Sequence, residues 1–103
     1  MEKDRLKLQT HLEKLLGPEV AVYFQEPPSD KLRYPCVIYH FDGAATRHAD
    51  NSPYRQTKRY RLTVIDRNPD SRYPDMIASL PQCTFQRWFA KDKLNHNIYQ
   101  LYY

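Results

Sequence analysis

"RYRLTVIDRNPDSRYPDMIASL", residues 59–80, decides the fold, because its hydrophobic period changes midway. From Arg59 to Asp66 the residues alternate, so Tyr60, Leu62 and Val64 line one face of a strand and Arg59, Arg61 and Thr63 the other. One face is core and the other is basic. The cluster Asn68-Pro69-Asp70-Ser71 then offers a capping side chain, a proline suited to a first helical turn, and acidic groups for a helix N-terminus. The spacing predicts a helix over about 70–80, with Met76, Ile77 and Leu80 as its apolar stripe and Pro81 as its stop. Asp66, Asp70 and Asp75 gather at this corner, and capping and solvation suit their positions better than acid/base or metal chemistry.

Working toward the N-terminus, residues 3–16 read as an amphipathic helix with Leu8, Leu12, Leu15 and Leu16 on one stripe, closed by Gly17 and Pro18. VAVYF (20–24) is a short strand. EPPSDKLRYP (26–35) carries three prolines and is a loop. CVIYHF (36–41) is apolar on both faces and belongs in the interior of a sheet. DGAATRHADNSPYRQ (42–56) has no periodicity and reads as a long loop; loops beyond about 12–15 residues are usually functional or disordered, which makes it a candidate docking element.

Beyond the helix, CTFQRWFA (83–90) and NIYQLYY (97–103) read as two more strands joined by KDKLNH. The expected architecture is α+β: a mainly antiparallel sheet of 4–5 strands flanked by two helices, in the order α-β-β-β-α-β-β. The chain reads as one domain, 1–103.

Composition narrows the function classes. With 41% hydrophobic and 27% charged residues in 103, the chain is an ordinary globular domain whose small core gains from oligomerisation. No stretch approaches a transmembrane span, and MEKDRLKLQT opens with charges where a signal peptide has an apolar run; the expectation is a protein made in a cytoplasm, with no membrane partner. Cys36 and Cys83 sit in apolar phrases and read as buried free thiols, while His11, His40, His48 and His96 are scattered singly, so no metal or other cofactor is expected. Only two glycines are present and no nucleophile elbow, so no catalytic residues are assigned and the chain does not read as an enzyme.

Basicity and aromatic surplus carry more information. Residues 44–73 hold seven Lys or Arg (Arg47, Arg55, Lys58, Arg59, Arg61, Arg67, Arg72) against Asp50, Asp66 and Asp70, so 7 − 3 = +4, equal to the net charge of the whole chain. Such a patch attracts phosphate or an acidic partner. Arg47, His48, Arg55, Lys58, Arg59 and Arg61 are its candidate docking or lumen-facing residues. Trp88, Phe89, Tyr99, Tyr102 and Tyr103 put more large aromatics at the C-terminal end than a small sheet hides, and are the candidate oligomer contacts.

With YPCVIYHFDGA upstream, the run VIDRNPDSRYPDMIASLPQCTFQRWFAKDKLNHNIYQLYY resembles the small tail-terminator or tail-completion (head-tail joining) proteins of long-tailed bacteriophages and prophages. The resemblance rests most on Tyr60, Val64, Asp66, Asn68, Pro69, Asp70 and Ser71, then on Leu80, Phe85, Leu94, Asn95, His96, Tyr99, Leu101 and Tyr102. It implies a structural virion protein at the tail-neck junction, assembled in the host cytoplasm as a hexameric ring. Such a ring ends polymerisation of the tail tube and joins the head-closure connector, while double-stranded DNA passes through its lumen in transient, nonspecific contact. Its implied partners are further copies of itself, the major tail tube protein and the connector. The alternatives are another neck protein (head closure or adaptor) and a small basic nucleic-acid-binding regulator.

Overall fold

A computed structural model describes the backbone of residues 2–49 and 52–103, and the side chains of 5–28, 30–44 and 57–103. The elements are α1 (Glu2–Leu16), β1 (Ala21–Phe24), a single 3-10 turn (Ser29–Lys31), β2 (Cys36–Ala49), β3 (Ser52–Asp66), α2 (Tyr73–Ala78), β4 (Cys83–Lys91) and β5 (Leu94–Tyr102). The strands form one five-stranded sheet in the order β1-β2-β3-β5-β4. Only β1 and β2 pair in parallel; every other pairing is antiparallel. The fold is α+β, as the alternation of periods predicts.

Both helices serve one face of the sheet. Leu8, Leu12 and Leu16 of α1 and Tyr73 and Ile77 of α2 pack with Val37, Tyr39, Tyr60, Leu62, Val64, Tyr99 and Leu101 in one cluster. The register Tyr39↔Leu62↔Tyr99 aligns three of these large side chains across the sheet. Tyr39 donates its hydroxyl proton to Gln9 Oε1 at 2.6 Å, which gives the buried ring a polar outlet toward α1. The other face has a smaller cluster, Cys36, Ile38 and Ile65, covered by Leu32 and Tyr34 from the proline-rich 25–35 loop. As its double-sided apolarity requires, β2 lies inside the sheet and is covered on both faces at Cys36–Tyr39.

Apart from residues 50 and 51, which lie outside the described residues, the 42–56 segment is strand and not loop. It continues β2 and opens β3, which pair from Gly43↔Arg59 out to Ala49↔Ser52. β1 borders β2 only at Cys36–Tyr39, and β5 borders β3 only at Arg59–Asp66, so the outer part of this hairpin is a two-stranded arm. At ~3.3 Å per residue, Gly43–Ala49 projects it by roughly 20 Å, in keeping with overall extents of 51 × 24 × 23 Å. Hydrophobic alternation is the sequence signal of a half-buried strand, and DGAATRHADNSPYRQ carries none, so its strands leave no period in the sequence.

Two smaller corrections have local causes. α2 begins at Tyr73, not near 70, because the polar cluster makes successive turns instead of a cap: Asp66 Oδ1 accepts from Asn68 N–H (3.1 Å), Asn68 Oδ1 from Asp70 N–H (3.0 Å) and Ser71 Oγ from Tyr73 N–H (3.3 Å). The proline of the first turn is Pro74, and Arg72 stands at the N-cap without a side-chain cap. The β4–β5 connection is the two-residue turn Asp92-Lys93, not KDKLNH; both residues have positive φ (54° and 64°), the backbone of a type I′ hairpin.

Candidate functional surfaces

Three surfaces remain after the core is accounted for: the arm, the β4 edge, and the part of the sheet that no helix or loop covers. The arm is anchored by a bulge at Asp42, between the pairs Phe41↔Tyr60 and Gly43↔Arg59. Gly43 has φ +149°, a conformation that glycine tolerates and side-chain-bearing residues rarely adopt. The Arg59 guanidinium lies against it: a Cβ on Gly43 would stand 2.7 Å from Arg59 Nη2. From there Nη2 donates to the Asp42 carbonyl at 2.9 Å, and Nε is 3.5 Å from Asp42 Oδ2. Arg59 is thus a clamp on the root of the arm, and only part of its charge is open to a partner.

Of the other predicted docking residues, Arg61 is exposed and Lys58 half-buried. The side chains of Arg47, His48 and Arg55 lie outside the described residues; their backbone positions are in the arm, where Arg47 stands opposite Arg55 in register.

β4 is the last strand of the sheet, nine residues long and exposed at most positions. A register shift between Phe85 and Arg87 inserts Gln86 as an extra residue. The bulge breaks alternation, so Phe85 (opposite Tyr99) and Trp88 (opposite Asn97, itself opposite Val64) both stand on the helix side. They are 53% and 56% exposed, the most exposed large apolar side chains among the described residues. The opposite edge is closed: β1 has four residues, and Gln9 Nε2 of α1 donates to the Val22 carbonyl at 3.3 Å.

The structure divides the five predicted contact residues. Trp88 is on the surface. Phe89 is half-buried, stacked on His96 at 4.5 Å and 11°, with the Arg87 guanidinium 5.0 Å from its centroid. Tyr102 is half-buried and its hydroxyl accepts from Gln100 Nε2 at 3.1 Å. Tyr103 is at the surface against His11 of α1, with ring centroids 6.0 Å apart. Tyr99 is a correction: it is 4% exposed, sits in the main core and meets Phe85 edge-on at 5.6 Å. Counting aromatics could not separate them, since Tyr99 and Phe85 are cross-strand partners on one face, and Tyr99 is sheltered because β5 lies inside the sheet while β4 is its edge. Phe85 was missed for the same reason.

The uncovered sheet face carries His40, Arg61 and Gln100 in one register row, and Thr63, Ile98 and Arg87 in the next. Gln86 Nε2 donates to Gln100 Oε1 at 3.3 Å, extending a polar strip across β4 and β5 toward Tyr102. Cys36 is buried, and burial, helped by the negative charges of Asp66 and Glu26, pushes its thiol up to about 12; Cys83 is only half-buried, its thiol also raised by burial. Neither is poised as a nucleophile. Among the described residues no three His, Cys, Asp or Glu side chains are grouped to hold a metal ion, and no helix is long and apolar enough to cross a membrane. One concavity, of about 760 Å³ between α1 and β1, is open and lined in part by Glu13, Lys14 and Arg33.

The chain matches no family model, and no curated protein matches it in sequence.

Proposed function

We propose that this protein is a structural subunit of a phage or prophage tail, a terminator that forms a ring of six copies on the last ring of the tail tube, joins it to the head connector and leaves a lumen for double-stranded DNA. The observation that carries this reading is the open β4 edge with Phe85 and Trp88 side by side, on a domain whose other sheet edge is closed. Exposed aromatics beside unpaired strand backbone are the features of a subunit contact. The arm supports the same reading, since its backbone ribbon projects beyond the strands that border β2 and β3 and so reaches toward a neighbour. Ring number and the choice among neck positions come from the resemblance alone.

The test is the mass of the purified protein by light scattering, across concentration and with added tail-tube protein, with Trp88 fluorescence as a second readout. Because Trp88 is the only tryptophan, its emission reports directly on the β4 edge. A ring that forms alone or on tubes, with Trp88 emission moving to shorter wavelength, supports the terminator. A monomer or dimer indifferent to tubes, binding nucleic acid tightly, supports the alternative of a small regulator, which the net charge of +4 also fits.

A further inference from the structure

The terminator reading leaves open which surface of the subunit meets DNA, and the sheet itself supplies an answer. We infer that the uncovered sheet face, centred on Arg61 and Arg87, is a contact surface for the phosphate backbone of double-stranded DNA. The assignment stands on the distribution of charge and does not need the ring.

Strand residues facing this side carry Arg59, Arg61, Arg87 and Lys91, and among the described residues the carboxylate beside them is Asp42, already held by Arg59. The nearest other acids, Glu26 and Asp66, act on Cys36 at the end of the face that the 25–35 loop covers. Arg61 and Arg87 are both exposed. They lie two strands apart and one register row apart, which at ~4.8 Å between strands and ~3.4 Å per residue separates their Cα atoms by roughly 12 Å. Between them the floor is the small Thr63, the hydrogen-bonded Gln100 and the buried Ile98, none of which stands up to block a phosphate backbone.

Complementarity is to duplex rather than to single strands. Single-strand binding depends on aromatic rings open for stacking. On this face Phe89 is stacked on His96 beneath Arg87, and Tyr102 is tied to Gln100, whereas Phe85 and Trp88 are on the other side. An acidic protein would also meet two arginines favourably, but the face offers no apolar pocket to anchor one, Ile98 being 8% exposed.

Binding of a short DNA duplex by the wild-type protein, followed by fluorescence anisotropy, should be weak and salt-dependent. Two phosphate contacts give a slope of log K against log salt of about −1.8 from this face, or roughly a tenfold loss between about 50 and 200 mM salt. The double variant Arg61→Gln/Arg87→Gln should reduce the slope by about 2, while Arg61→Lys/Arg87→Lys retains it. An unchanged slope in the Gln variant, or tighter binding of a single strand than of the duplex, overturns the assignment. Tail capping by the same Gln variant separates the two conclusions: normal tails with lost DNA affinity leave the terminator reading intact, and a wild-type protein that binds duplex but not tubes leaves only the DNA surface.

Discussion

Replacing Tyr99 and Trp88 in turn should separate core from contact on the same sheet. Tyr99 is 4% exposed and wedged between the main cluster and the edge of Phe85, so Tyr99→Ala opens a cavity where a large aromatic stood. Such truncations cost about 3–5 kcal/mol, a large share of the ~5–15 kcal/mol that holds a small domain together. Trp88 is 56% exposed. Covering about 100 Å² of it at about 25 cal/mol/Å² bounds its contribution at about 2.5 kcal/mol, an upper limit because the unfolded chain also shelters part of it. Trp88→Gln, which keeps a long side chain on the strand, should cost about 1 kcal/mol, or about 4–8 °C in Tm. Thermal and urea unfolding followed by far-UV circular dichroism, at concentrations where the subunit is monomeric, measures both. Tyr99→Ala should lose on the order of 20 °C, and Trp88→Gln should stay folded yet fail to assemble on tail tubes. Equal destabilisation by the two substitutions would return Trp88 to the core, and normal assembly by Trp88→Gln would remove the β4 edge as the subunit contact.

Three further outcomes follow from local geometry. Gly43→Ala should cost on the order of 1–3 kcal/mol, since the new Cβ would meet Arg59 Nη2 at 2.7 Å in a backbone conformation alien to alanine; limited proteolysis should cut the arm faster in the variant, and unchanged cleavage would mean that Arg59 does not clamp its root. Alkaline stability should depend on Cys36: the native thiol keeps its proton from about 9 up to about 12 while the unfolded chain releases it, so stability is fully present below the lower value and falls by about 1.4 kcal/mol per pH unit above it. Urea midpoints against pH should be flatter for Cys36→Ala than for wild type, and parallel curves would refute the buried-thiol account. Replacing residues 45–57 by Asn-Gly joins the facing pair Ala44↔Lys58 through a two-residue turn; the shortened protein should fold with unchanged circular dichroism in its body and no longer cap tails, and tails of normal length would show that the arm does not dock.

Legibility tracked burial. α1, the two-sided β2 start and the alternating end of β3 were readable because each buries a face that repeats at its own period, as Leu8, Leu12 and Leu16 or Tyr60, Leu62 and Val64 do. The arm was not, because its small and polar residues do not alternate with apolar ones. Its one local signal is Asp42-Gly43, a small pair within a polar run, where a glycine in extended chain marks a bulge or a close approach; the structure shows both, with Arg59 as the approaching group. The helix start was misplaced because Asn68, Asp70 and Ser71 are as well suited to Asx-type turns as to caps, and only the path of the chain chooses between them. The faces taken by Trp88 and Phe89 depended on a single inserted residue, Gln86, for which hydrophobic periodicity has no mark, and the shelter of Tyr99 over Phe85 on the order of the strands.

The unequal treatment of the two sheet edges bears most directly on assembly. Strand edges invite indiscriminate pairing, and small proteins blunt them by shortening, by bulges and by charge. β1 follows that rule fully: it is four residues long, and a helix side chain takes one of its carbonyls. β4 follows it only in part, because Arg87 and Lys91 oppose pairing with another copy of the same strand, while the Gln86 bulge brings Phe85 and Trp88 together instead of turning them away. An edge designed only for avoidance would gain nothing from two clustered aromatics. In the proposed ring, β4 with its exposed aromatics would meet a different surface of its neighbour, the heterologous contact that cyclic rings of more than two subunits require. That is why Trp88→Gln tests the assembly more sharply than any substitution on β1.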